Sequence, residues 1–109
     1  MCGIIAIYDK NAYISQSEFK RVARSSEIRG KDSSGIFRVN DLNEGVVYRS
    51  DKKLTSLIGR VDLSKSSLLI AHTRLVTNGT KFNQPVTNSR YIAVHNGIIT
   101  NYPNLINYK

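Results

Sequence analysis

The chain has 109 residues, 40% of them hydrophobic, and a formal net charge of +8. That apolar content excludes a disordered tail, and the length fits one domain or a piece of one. The single cysteine, Cys2, excludes an intrachain disulfide framework, and no apolar run reaches the roughly 20 residues of a membrane span.

In chain order, Cys2 to Tyr8 reads as a short buried strand, β-branched and apolar on both faces. Asp9 to Asn11 is a turn. A helix is expected next, because Ser15 and Glu18 have capping-box spacing and Ile14 and Phe19 can staple across it. Phe19, Val22 and Ala23 share its apolar face, and Gly30 is its stop signal. Two strands, Ser34 to Val39 and Val46 to Ser50, flank a hairpin loop from Asn40 to Gly45. Asp51 is expected to cap a short helix with Leu54, Leu57 and Ile58 on one face and Gly59 at its end. Leu68 to Ala71 is a second buried-strand pattern that runs into His72-Thr73-Arg74. Asn78 to Asn88 reads as a loop, Tyr91 to Val94 as a strand ending at His95-Asn96-Gly97, and Tyr102 to Tyr108 as the start of a helix. Consecutive strands favour antiparallel pairing, hence an α+β fold. Asn101 to Lys109 looks like an element's opening, so the fold is expected to be incomplete here, with unpaired strand edges.

Lys and Arg are scattered, with Lys20-Arg21 and Lys52-Lys53 the only adjacent pairs, and no aromatic residues alternate with them. This favours a solvated basic surface over nucleic-acid binding. A basic nucleic-acid binder would need a salt-dependent affinity. No basic residue precedes the apolar run Ile4 to Ile7, so it is not a signal peptide, and a soluble, reducing, cytoplasmic setting is expected.

Three places concentrate chemistry: Met1-Cys2-Gly3, Arg29 to Gly35, and the pair of strand ends at His72-Thr73-Arg74 and His95-Asn96-Gly97. Cys2 is either a small buried hydrophobe or a nucleophile. Removal of Met1 would leave it an α-amine, of pKa about 7.7–8.0 when unperturbed, that can act as base for its own thiol. Arg74, at a strand end, is either a surface residue or a planar fork for a substrate carboxylate. Asn96-Gly97 is either an ordinary turn or a pair of donors for an oxyanion. His72 and His95 read as structural, hydrogen-bonded histidines, because two His and one Cys make a thin metal set. Arg29 to Gly35 lacks a Walker pattern; Arg29 and Asp32 could brace its turn.

Met1-Cys2-Gly3-Ile4, Arg29-Gly30-Lys31-Asp32-Ser33, Ala71-His72-Thr73-Arg74 and His95-Asn96-Gly97-Ile98-Ile99 occur in the order and rough spacing of class II glutamine amidotransferases. The chain resembles that family, a group of N-terminal-nucleophile hydrolases, from Cys2 to Asn101. Within it the motifs look most like the glutaminase domain of the glucosamine-6-phosphate synthase branch. Leu75 stands where that branch has Trp, Asn78 where it has His, and Gln84-Pro85 where it has His-Pro.

The resemblance implies an αββα sandwich of antiparallel sheets, with residues 1–109 as the N-terminal portion of a type-2 amidotransferase domain. Cys2 would attack the side-chain amide of L-glutamine and form a γ-glutamyl thioester. Asn96 and Gly97 would form the oxyanion hole. Arg74 would grip the α-carboxylate, with Thr77 and Gly97 beside it, and Arg29 and Gly30 would position the mature N-terminus. No cofactor is implied. The expected partners are glutamine and an acceptor-synthase domain or subunit outside this chain, with an oligomer allowed and neither nucleic acid nor membrane involved. The competing expectation is a non-catalytic module that needs a second chain to complete its sheets.

Overall fold

Why the chain forms a helix-backed sheet follows from where its apolar residues fall. The computed structural model describes residues 2–75 and 83–97. The expected helix at Tyr102 to Tyr108, Thr77, and the first part of the Asn78–Asn88 loop lie outside the described residues. The elements are β1 (Gly3–Tyr8), α1 (Gln16–Ser26) followed by a single 3-10 turn (Glu27–Arg29), β2 (Ser33–Asn40), β3 (Gly45–Ser50), α2 (Leu54–Ile58), β4 (Ser66–Arg74), β5 (Val86–Thr87) and β6 (Ile92–Ala93).

Four strands form one antiparallel sheet in the order β1-β4-β2-β3, and β5 and β6 form a two-stranded antiparallel ladder. The α+β expectation holds. Both helices pack on one face of the larger sheet. Ile5, Ile36, Leu69 and Ala71 of the sheet meet Phe19, Ala23, Leu54, Leu57 and Ile58 in a single core. The opposite face is different. Side chains alternate along a strand, so the register places Ile4, Ala6 and Tyr8 level with His72, Ile70 and Leu68 on that second face. Ile4 and Tyr8 are 45% and 72% exposed. β1 was expected to be buried on both faces; it is an edge strand buried on one.

α1 begins as its sequence dictates. Ser15 is the N-cap and its hydroxyl accepts from Glu18 N–H at 3.3 Å. The capping box is only half made, because the Glu18 carboxylate pairs with Arg21 at 2.7 Å on the exposed surface. Phe19 and Ala23 are buried as expected, but Val22 is exposed. The α-helix ends at Ser26 and Gly30 closes the 3-10 turn, one step later than a direct helix stop.

The hairpin between β2 and β3 falls within one residue of the expected limits. Asn40 builds it: its side-chain oxygen accepts from Leu42 and Glu44 N–H, both at 2.9 Å. The cap of α2 is a correction. Asp51 does not cap that helix; Lys53 is the N-cap residue, without a side-chain bond, and the Glu27 carboxylate accepts from Thr55 N–H at 2.6 Å. A carboxylate from another element satisfies one of the helix's unpaired first-turn donors. Asp51 instead accepts from the Asn83 side chain at 2.9 Å. No helix among the described residues is long and apolar enough to cross a membrane.

Candidate active site

The sheet brings distant motifs to one end. Gly3 pairs with Thr73, and Arg74 pairs with Ser33, so the start of β1, the end of β4 and the start of β2 lie side by side. Thr73 locks the first of these. Its buried hydroxyl accepts from Gly3 N–H at 3.0 Å and donates to the Ser26 carbonyl at 3.2 Å. One hydroxyl can do both, having one proton and two lone pairs. The residue after Cys2 is thereby tied to both β4 and the end of α1.

Cys2 is half-buried, and Asn96 reaches it from the far side of the sequence. The Asn96 side chain makes two hydrogen bonds to the Cys2 backbone: Oδ1 accepts from Cys2 N–H at 3.2 Å, and Nδ2 donates to Cys2 O at 2.8 Å. The amide has two Nδ2 protons, so this pairing engages only one of them. Gly97 follows with φ of +147°, a backbone conformation that favours glycine. A cleft of about 450 Å³ opens at Cys2, Gly3 and Asn96, with Ser25, Ser26 and Arg29 on the α1 side.

Arg74 stands one residue beyond Thr73, half-buried at the end of β4, and is not among the described residues lining that cleft. Its backbone is tightly wrapped. Asp32 N–H donates to Arg74 O at 2.9 Å. A Cβ on Gly30 would stand 2.5 Å from the Arg74 carbonyl carbon, so only glycine lets the two backbones pass this closely. Gly30 thus abuts Arg74 and Leu75, while Arg29 shares the cleft with Cys2. Thr77 lies outside the described residues.

His72 is a structural histidine, as expected. It is 1% exposed, on the sheet face opposite the helices, with Nε2 at 3.1 Å from the His95 carbonyl. A carbonyl only accepts, so Nε2 carries the proton. Burial lowers the pKa of His72 below its ordinary value; the hydrogen bond to His95 opposes this, and the nearby charges of Arg74 and His95 add to it. His95 enters through its backbone, since its side chain is exposed. Among the described residues no group of three or more His, Cys, Asp or Glu side chains could hold a metal ion.

Sequence reading missed the roles of Thr73, Glu27 and Gln84. For Thr73 a signal was present, as a hydroxyl within a buried apolar strand that faces the helices. The other two make contacts between elements that no local pattern encodes.

No family model matches the chain, and no solved structure does. Curated relatives do match. An isomerizing glutamine–fructose-6-phosphate aminotransferase of Buchnera aphidicola subsp. Baizongia pistaciae is 38% identical over 113 residues, covering 96% of this chain. Those of Bartonella quintana and Oceanobacillus iheyensis are 39% and 33% identical, covering 96% and 98% of it. The chain belongs to the glutamine amidotransferase family. The particular relatives are aminotransferases that the chain matches along nearly all of itself but across only 18% of their own length.

Proposed function

We propose that this chain carries the glutamine-hydrolysing site of an amidotransferase, with Cys2 as nucleophile. The observation that carries the reading is the two-point contact between Asn96 and the Cys2 backbone, which joins residues 94 positions apart. The contact lies outside the buried core, since Asn96 is exposed.

In this reading Met1 is removed first, because an amide nitrogen at Cys2 is not a base. The freed α-amine takes the thiol proton. Sγ then attacks the side-chain amide carbon of glutamine. Negative charge gathers on the amide oxygen, where Asn96 Nδ2 and Gly97 N–H stabilise it. The proton passes from the amine to the departing nitrogen, ammonia leaves, and a γ-glutamyl thioester remains. Water hydrolyses it to glutamate and regenerates the thiol. Arg74 holds the glutamine α-carboxylate, Thr77 lies beside it, and Arg29 and Gly30 fix the ends of the cleft and of β4. The acceptor is drawn from the relatives, whose name specifies fructose-6-phosphate; the residues that would bind it belong to an acceptor-synthase domain or subunit.

The test is glutamate release from glutamine by the Met1-processed chain and by Cys2→Ala, with intact mass to establish the processing. Release by the wild type alone supports the reading. Equal background in both would overturn it. A second reading, a non-catalytic module completed by another chain, draws on the exposed apolar residues Ile4 and Tyr8 of β1. It expects self-association or poor solubility on purification, and a cooperative, monodisperse monomer would count against it.

A further inference from the structure

We propose that Gln84 and His72 form a clamp on the backbone of His95 and are positioning residues for Asn96. The inference rests on the reading of Asn96 as an oxyanion donor, but its structural part stands separately.

Beyond β6 the stretch Val94 to Gly97 has no ladder partner among the described residues. Such a segment ought to be loose, yet it carries the residue that meets Cys2. What holds it is two side chains from different elements. Gln84 Oε1 accepts from His95 N–H at 2.6 Å, and His72 Nε2 donates to His95 O at 3.1 Å. Both backbone polar groups of one residue are therefore satisfied by side chains, immediately before Asn96. His95 itself is exposed.

Each jaw is itself fixed. His72 is 1% exposed and pairs in register with Gly35 of β2. Gly35 leaves a flat spot beside it, and the Gln84 backbone fills that spot. A Cβ at Gly35 would stand 1.7 Å from the Gln84 carbonyl oxygen. Arg49 of β3 then pins the following residues, donating from Nε to Pro85 O at 2.9 Å and from a terminal nitrogen to Thr87 Oγ1 at 3.4 Å. Of the three strands, β4 holds His95 directly through His72, while β2 and β3 hold the Gln84 to Thr87 segment that carries the other jaw. A donor aimed at developing charge acts only when it is held within about 0.5 Å of its working position, and its supporting shell sets that tolerance. The clamp is that shell for Asn96.

The test compares the full chain with Gln84→Met, which matches the side chain's length and lacks the acceptor, and Gln84→Glu, which restores an acceptor oxygen. Solvent exchange of the Asn96 side-chain amide is read by NMR, with Leu69 and Ala71 backbone amides as controls. Gln84→Met is expected to speed Asn96 exchange by about fivefold to tenfold, the equivalent of one net hydrogen bond, with the controls unchanged. Gln84→Glu is expected to restore it. In turnover Gln84→Met lowers kcat for glutamate release and leaves KM for glutamine unchanged, since the carboxylate grip lies elsewhere. Unchanged Asn96 exchange, or equal acceleration at Leu69 and Ala71, overturns the clamp. A wild-type chain that releases no glutamate, yet shows the expected exchange pattern, would sink the glutaminase reading and leave the clamp intact.

Discussion

Asn96 and Arg74 have separable duties in the proposed reaction, and kinetics can tell them apart. Asn96→Ala removes a donor used only once charge develops, so kcat is expected to fall about 10²- to 10³-fold with little change in KM. Arg74→Ala removes a charge-assisted contact to the intact substrate. KM for glutamine is expected to rise about 10- to 100-fold, with kcat less affected. Steady-state glutamate release over a range of glutamine concentrations checks both. His72 has a consequence for stability. Its folded pKa lies below the ordinary 6.5, so near and below that pH the unfolded chain binds a proton that the folded chain refuses. The stabilisation is complete above about pH 6.5 and is lost progressively as pH falls below it. Urea midpoints at about pH 7.5 and about pH 5.5 are expected to differ in the wild type, and by less in His72→Gln, which keeps a donor without the titration. An equal slope in both would assign the pH dependence to other groups.

Helix termini show what can and cannot be read locally. Ser15 and Glu18 announce α1 because an N-cap contact spans three residues, and the structure makes it. α2 has five residues and no side-chain cap of its own; its cap is Glu27, 28 residues earlier. The two caps are predicted to respond differently. Ser15→Ala should cost about 1 kcal/mol and Ser15→Gly only a few tenths. Glu27→Ala leaves a part-buried first-turn N–H without its acceptor and should cost about 1–3 kcal/mol, while Glu27→Gln, which keeps an acceptor oxygen, should cost clearly less. Chemical denaturation of the four variants checks this. Arg38 makes the same point for charge. Composition assigned the basic residues to a solvated surface, yet Arg38 binds the start of β4 through Ser66 Oγ at 3.0 Å and the segment before it through the Asp62 carbonyl at 2.8 Å and the Ser64 carbonyl.

For the molecule as a whole, the asymmetry of the sheet matters most. One face is sealed by α1 and α2; on the other, the β1 edge is open. Ile5 and Ile4 are sequence neighbours on opposite faces, 7% and 45% exposed. Ile5→Ala is expected to cost about 2–5 kcal/mol and Ile4→Ala about 1 kcal/mol or less, measured as shifts in the urea midpoint. Similar losses at both positions would mean that something covers the second face in solution. Local periodicity alone determined the positions of β1 to β4 and both helices, the N-cap of α1 and the hairpin limits, because each depends on contacts within a few residues or on a repeating apolar pattern. The proposed grouping of Cys2, Arg29, Arg74, Asn96 and Gly97 was legible only through motif order; the structure brings Cys2, Arg29 and Asn96 to one cleft, and Arg74 is not among the described residues lining it. Which face of β1 is buried, that Glu27 caps α2, that Thr73 ties Gly3 to α1, and that Gln84 and His72 hold the residue before Asn96 were decided by tertiary structure. These are pairings between elements far apart in the chain, and a polar side chain shows no sign in its own neighbourhood of which distant backbone group it will satisfy.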